Sequence, residues 1–415
     1  MARAMKDSGI EWIGEIPEGW SISRLKYIGS YINGFAFKPE QWGNTGKRII
    51  RIQDLTGSSD KPNYYDGEID SKYYVKNGDI LVSWAATLAA FIWDKGDGLL
   101  NQHIFKAINN ETIVEYDFFF WLIKVAMEYM NNDNKHGIMM QHVTLDVFGN
   151  FTVALPPISE QKKISSFLKT ECARIDAVIE QTRASIEEYR KLKQSVITQA
   201  VTKGIRPGRK MKDSGVEWID LIPETWKECR IKNVIFPVQR PVNDNDDIIT
   251  CFRDGVVTLR KNRREDGFTV SFTENGYQGV EPGDLVIHGM DAFAGAIGCS
   301  DSRGKTTPVV HVCKTSGNNR YFMYYLRCMA YGNILMDLSN GVRIRSSDFR
   351  NFAKLGVFKV VVPPEAEQDE IVEYLDWITV RIDELAHEKE HLLDELESYK
   401  KSLIFEYVTG KKEVN

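Results

Sequence analysis

One long helical pattern occurs twice in this chain, and it limits every other element. The first copy runs from Leu155-Pro156-Pro157-Ile158-Ser159-Glu160-Gln161 to about Gly204. The second runs from Val362-Pro363-Pro364-Glu365-Ala366-Glu367-Gln368 to about Lys411. Each holds an Arg-Ile-Asp triplet, Arg174-Ile175-Asp176 and Arg381-Ile382-Asp383, and ends in Val-Thr. Double prolines disfavour helix before them, and Ser159 offers an N-cap. Apolar residues follow with heptad-like spacing: Leu168, Cys172, Ile175, Ile179, Ile186, Tyr189, Val196 and Ala200. Shifted by 207, the same phase holds Leu375, Thr379, Ile382, Ala386, Leu393, Leu396, Leu403 and Tyr407. Thr182/Lys389 and Lys193/Lys400 interrupt both stripes. At ~1.5 Å per residue, such helices span roughly 65–70 Å, and a single apolar stripe requires a partner. Helix one leads into the second body and nothing follows helix two, so antiparallel pairing is the economical arrangement.

A second repeat precedes each body. Lys6-Asp7-Ser8-Gly9-Ile10-Glu11-Trp12-Ile13 recurs as Lys212-Asp213-Ser214-Gly215-Val216-Glu217-Trp218-Ile219. Ile16-Pro17-Glu18-x-Trp20 recurs as Ile222-Pro223-Glu224-x-Trp226. The chain is a tandem of motif, body and helix, taken twice. The bodies, roughly 21–155 and 227–362, are far less alike. Gly78-Asp79 and Gly283-Asp284 lead into apolar runs that read as turn-then-strand. Aromatic stretches Tyr116 to Tyr129 and Tyr321 to Tyr331 read as core helices. The fold class is α+β: two globular, mixed domains separated by two long antiparallel helices, a coiled-coil spacer with pseudo-twofold tandem symmetry.

Composition narrows the function classes. No apolar run reaches the ~18 residues that suggest a membrane span. The opening Met1-Ala2-Arg3 leads into no apolar signal region, so a cytoplasmic location is expected. Six cysteines without a Cys-x-x-Cys pair read as buried thiols, not zinc ligands or disulfides. Net charge is −5, but residues 365–415 carry −9, leaving a weakly basic remainder of +4. That distribution permits a DNA-binding face.

No catalytic motif stands up. Gly304-Lys305-Thr306 resembles the end of a phosphate loop, but Cys299 occupies the place of the required first glycine. No metal-type histidine spacing occurs. Basic and amide side chains cluster in the bodies instead. The second body has Arg260, Lys261, Arg263 and Arg264, then Arg303 and Lys305, then Arg343 and Arg345. The first has Arg51, Gln53, Gln102, His103, Gln141 and His142. Arginine reads guanine edges, Gln and Asn read adenine, and Arg and Lys also bind phosphate.

Taken together, the duplicated Lys-Asp-Ser-Gly and Ile-Pro-Glu-x-Trp motifs, the Pro-Pro-x-x-Glu-Gln starts and the Arg-Ile-Asp triplets are highly specific. Over nearly its whole length the chain resembles a specificity subunit of a Type I restriction–modification system. The resemblance implies target recognition domains at 1–155 and 205–362, with spacer helices at 156–204 and 363–415. It implies a non-catalytic reader of a bipartite, asymmetric double-stranded DNA target. That reader bridges two methyltransferase subunits and restriction subunits, which carry S-adenosylmethionine and ATP/Mg; this chain carries no cofactor. Packing of the spacer falls to Leu168, Ile175, Ile179, Ile186, Tyr189, Val196, Leu375, Ile382, Leu393, Leu396 and Leu403. The alternatives are a self-sufficient DNA methyltransferase or nuclease, and a helical scaffold or anti-restriction mimic that binds no DNA. One departure is that the first helix is slightly basic over 159–203, with nine bases and six acids, while the second is acidic.

Overall fold

Both Lys-Asp-Ser-Gly motifs fold as hairpins closed by their own side chains. A computed structural model describes residues 3–59, 61–85, 88–133, 143–263, 274–337 and 349–414. In it, strand Met5–Ile10 pairs antiparallel with Gly14–Pro17, and Met211–Val216 with Ile219–Pro223. Asp7 Oδ1 accepts the Gly9 N–H at 2.9 Å, and Ser8 Oγ accepts that of Ile10 at 3.0 Å. The second copy repeats both bonds, Gly215 to Asp213 at 2.7 Å and Val216 to Ser214 at 2.9 Å. Short polar side chains that satisfy neighbouring N–H groups give both motifs the same bend.

The chain forms two compact units, Met1–Gln181 with Leu392–Asn415, and Thr182–His391. The division falls inside both long helices, Ile158–Lys203 and Glu365–Val408. In the first unit, Ser21–Arg24 pairs with Thr152–Leu155, so the body opens and closes on one ribbon. Four antiparallel strands follow the order Gly29–Asn33, Ile104–Asn109, Ile80–Ser83, Ala89–Ile92. A second sheet orders Asn63–Tyr65, Lys47–Ile50, Gly98–Leu100 and Tyr74–Val75, its middle pair parallel. Helix Tyr116–Asp133 buries Phe118, Phe119 and Leu122 in one core with Val82, Phe105, Leu168 and Leu403.

The second unit repeats this framework. Lys227–Arg230 pairs with Lys359–Val362. Its four-stranded sheet follows the same order: Ile235–Pro237, Val310–Thr315, Leu285–His288, Ile297–Cys299. The outer strands form separate pairs, Ile249–Cys251 with Val257–Leu259 and Gln278–Val280 with Gly304–Thr306. Helix Asn319–Tyr331 buries Tyr321, Phe322 and Tyr325 against Ile287, Val201 and Leu375. Bodies unlike in sequence therefore share a central sheet and diverge in their outer strands. The shared parts fill a core, while the outer strands carry loops.

Ser159 does not cap the first long helix, contrary to the sequence expectation; it lies inside it. The Pro157 carbonyl accepts the N–H groups of Glu160 and Gln161 at 2.9 and 3.0 Å, and Pro364 does the same for Glu367 and Gln368. The second proline thus sits at the boundary, where its missing N–H costs nothing. Each glutamine then ties its helix to its body. Gln161 Nε2 donates to the carbonyls of Pro156 at 2.9 Å and Ile113 at 3.1 Å, while its Oε1 accepts the Glu115 N–H at 2.8 Å. Gln368 donates to Pro363 at 3.0 Å and accepts from Asn318 at 2.9 Å. Gln161→Leu strands these buried groups at about 1–3 kcal/mol each. Urea denaturation is expected to show a loss of roughly 2 kcal/mol or more. An unchanged midpoint would mean that the clamp adds no stability.

Within each unit the two long helices run antiparallel. In the first, Phe167 and Tyr407 lie 4.5 Å apart between ring centroids, and Lys400 Nζ donates to Asp176 at 2.6 Å. In the second, Arg190 meets Glu390 at 3.3 Å, and Lys193 donates to Asp383 at 2.7 Å. Lys193 and Lys400, which interrupt the apolar stripe at equivalent positions, thus find the aspartates of the Arg-Ile-Asp triplets. Exposed pairs of this kind add little stability, so register is their main contribution. Leu168, Ile175, Ile179, Ile186, Leu375, Ile382 and Leu403 are buried; Tyr189, Val196, Leu393 and Leu396 are half-buried. Both helices end on a glycine at φ +76°, Gly204 and Gly410, a backbone that other residues adopt only with strain. A Cβ on Gly410 would also lie 2.5 Å from Pro17 Cδ, because this end closes on the first hairpin. Lys411 Nζ donates to the Glu15 carbonyl there at 2.8 Å. Among the described residues no helix is long and apolar enough to cross a membrane.

Candidate nucleic-acid interface

In the first unit, Arg51 precedes the short helix Ile52–Thr56, its guanidinium 4.4 Å from the centroid of the Trp42 ring. Its backbone N–H donates to Asp54 at 2.8 Å, which fixes the start of that helix. Gln53 is exposed on the same turn. Gln102 and His103 form the turn before strand Ile104–Asn109, with Gln102 Nε2 3.3 Å from His103 Nε2. His103 packs 5.6 Å from Trp84, and its Nδ1 is buried without a hydrogen-bond partner among the described residues. The two segments flank one small apolar cluster, in which Ile52 and Leu55 pack on Leu100 and Ile104. Gln141 and His142 lie outside the described residues, as do Arg264, Arg343 and Arg345 of the second unit.

In the second unit, Lys261, Arg263, Arg303 and Lys305, all singled out from sequence, are each held by an acid. Lys261 bonds Asp247, Arg263 bonds Asp254, and Lys305 bonds Glu274 at 2.7 Å. Arg303 holds Asp246 at 3.2 Å and also Glu281. Arg260 Nε donates to Thr250 Oγ1 at 3.2 Å. Hydrogen bonds from Lys261 and Arg263 hold the Asp247 and Asp254 carboxyls below the ordinary carboxylate range. These acids remain charged near neutrality and restrain the cations facing them. Any anionic ligand would have to compete with these acids for the cations.

Arg260 and Arg263 converge with residues that the sequence reading passed over: Arg253, Asp254, His288 and Asp291. All six line a cleft of about 760 Å³. Arg253-Asp254-Gly255 carries a readable turn signal between two short strands. Nothing in the sequence pattern distinguishes His288, which merely ends a strand. The cysteines are free thiols. Burial pushes Cys299 up to about 12, so it stays protonated at neutral pH.

Comparison with known proteins agrees with the duplicated architecture. Residues 17–188 match the family described as the Type I restriction modification DNA specificity domain. The Type I restriction enzyme EcoBI specificity subunit of Escherichia coli is 28% identical over 276 residues, covering 62% of this chain and 56% of that protein. The MjaVIII specificity subunit of Methanocaldococcus jannaschii is 26% identical, covering 53% and 50%. This chain thus spans about half the length of those two relatives. The putative MjaX specificity subunit of the same archaeon is 24% identical over 432 residues, covering 96% and 95%. Among solved structures, a chain from work on assembly and conformational transition of the type I R-M system matches with a TM-score of 0.68. It is 18% identical, and the match covers 96% of this chain and 99% of that one. The HsdS subunit from Thermoanaerobacter tengcongensis matches with a TM-score of 0.50 at 17% identity, covering 98% and 100%. With residues 17–188 matching that domain and the same framework built twice, the chain is similar, in sequence and in fold, to the specificity subunits of Type I restriction–modification systems.

Proposed function

We propose that this chain reads DNA sequence for a Type I restriction–modification complex. The observation that carries the reading is one framework built twice with different outer strands. A shared scaffold with unlike loops suits the recognition of two unlike half-sites by one chain. On this reading each unit reads one half of a bipartite, asymmetric target in double-stranded DNA. The long helices act as a coiled-coil spacer with pseudo-twofold symmetry, placing the half-sites about one helical turn, roughly 34 Å, apart. The reciprocal bonds Lys400–Asp176 and Lys193–Asp383 support that symmetry, since each is the other shifted by one repeat. The chain bridges two methyltransferase subunits and the restriction subunits and has no catalysis of its own. S-adenosylmethionine and ATP/Mg chemistry belong to those partners.

Methylome sequencing of cells with and without this chain, the methyltransferase being present in both, tests the reading. The expected result is one bipartite, non-palindromic methylated motif that vanishes with the chain. Persistence of the motif without the chain would refute the assignment.

A further inference from the structure

The cleft in the second unit lies between the hairpin Ile249–Cys251/Val257–Leu259 and the end of strand Leu285–His288. Its polar lining divides sharply by chemistry. Both carboxylates are already engaged. Asp254 accepts from both Nη atoms of Arg263, one of them at 2.9 Å, and Asp291 accepts from Arg253 Nη2 at 2.9 Å. The Arg263 guanidinium also lies 4.5 Å from the Phe252 ring centroid, which fixes its plane further.

His288 is the informative residue. Its Nδ1 faces the backbone N–H groups of Met290 at 3.3 Å and Asp291 at 3.0 Å. A nitrogen that accepts two such bonds carries no proton, so the hydrogen resides on Nε2. Burial lowers the imidazole pKa despite the opposing pull of Asp291, which favours the neutral ring. Among the described residues none accepts the Nε2 proton. The cleft therefore presents a fixed neutral donor beside guanidinium donors restrained by Asp254 and Asp291.

Such a surface complements a ligand edge with two adjacent acceptors. In the major groove only guanine offers that pattern, through N7 and O6. Adenine pairs an acceptor with a donor, thymine an acceptor with a methyl group, and cytosine shows a donor. A neutral donor also lacks the net-charge attraction that draws a free lysine or arginine to phosphates along the backbone.

We propose that this cleft reads one guanine in the half-site of the second unit, His288 Nε2–H donating to N7 and Arg253 to O6. The proposal rests on the DNA-reading function set out above. Asp291 is then a positioning residue that orients Arg253 and, through its backbone, His288.

The test uses the full chain with its methyltransferase and two substitutions. His288→Asn keeps an acceptor for the two turn amides and withdraws the outer donor. His288→Gln restores an amide N–H near the Nε2 position. His288→Asn is expected to relax preference at one guanine position by roughly tenfold, consistent with the loss of half a paired contact. His288→Gln is expected to retain most of it. The other half-site and the spacer length stay unchanged in both. A wild-type half-site without guanine, or undiminished preference in His288→Asn, overturns the proposal. So does a uniform loss of affinity for all sequences with a shallower salt dependence, which marks a phosphate contact. Should His288→Asn fail to fold by thermal melt, wild-type protein is titrated with duplexes bearing 7-deazaguanine at each guanine in turn. One position must then lose affinity, and no sensitive position overturns the proposal. If the wild-type complex methylates no bipartite motif at all, the DNA-reading function fails and not merely this assignment.

Discussion

Leu375→Asp is expected to destabilise the second unit by several kcal/mol, whereas Trp377→Asp, two residues along the same helix, is expected to cost about 0.5 kcal/mol or less. Leu375 is fully buried in the cluster with Tyr321, Tyr325 and Trp226, while Trp377 is 66% exposed. The buried change forfeits roughly 2–3 kcal/mol of apolar transfer and places a carboxylate where no partner waits for it. Backbone conformation and introduced residue are the same at both sites, so burial is the main difference between them. Urea titrations of the two variants measure it directly. Equal midpoints would mean that the stripe running through Leu375 and Ile382 does not face the core.

Inserting one heptad at matching points of both long helices is expected to abolish methylation of the native target, by at least a hundredfold. Seven residues keep the apolar stripe within about 20° of its phase and add roughly 10 Å of length. If the helices set the half-site separation, that length corresponds to about three base pairs. One half-site is then presented with the wrong sequence, at roughly 1–3 kcal/mol for each mismatched pair. Selection from a library with randomised spacers reads the outcome: both half-sites retained, with a different separation between them. A native motif and spacer in the inserted variant would rule out the helices as the measuring element.

The local parts of this architecture were legible from the residues. The Asp-Ser-Gly hairpins close through bonds spanning two residues, and the helical stripes follow from the 3.6-residue period. The double prolines marked both helix starts, although the start falls on Pro157 and not on Ser159. The candidate interface was less legible. Runs of arginine and lysine pointed to a basic face, yet Arg303 is committed to Asp246, 57 residues away in sequence. Lys305 is committed to Glu274, 31 residues away. Charge counted along a chain does not reveal which cations are already paired in space.

Sequence alone determined that this molecule is a tandem, that each repeat ends in a long amphipathic helix, and that no familiar catalytic motif is present. Those properties depend on residue order over a few turns of chain. Tertiary structure alone decided which interrupting lysine meets which triplet aspartate. It also decided that two dissimilar bodies share one sheet order, and that His288 presents a single proton in a cleft with Arg253. Those properties depend on contacts between residues tens to hundreds of positions apart. Such contacts form only when the buried core brings distant segments together.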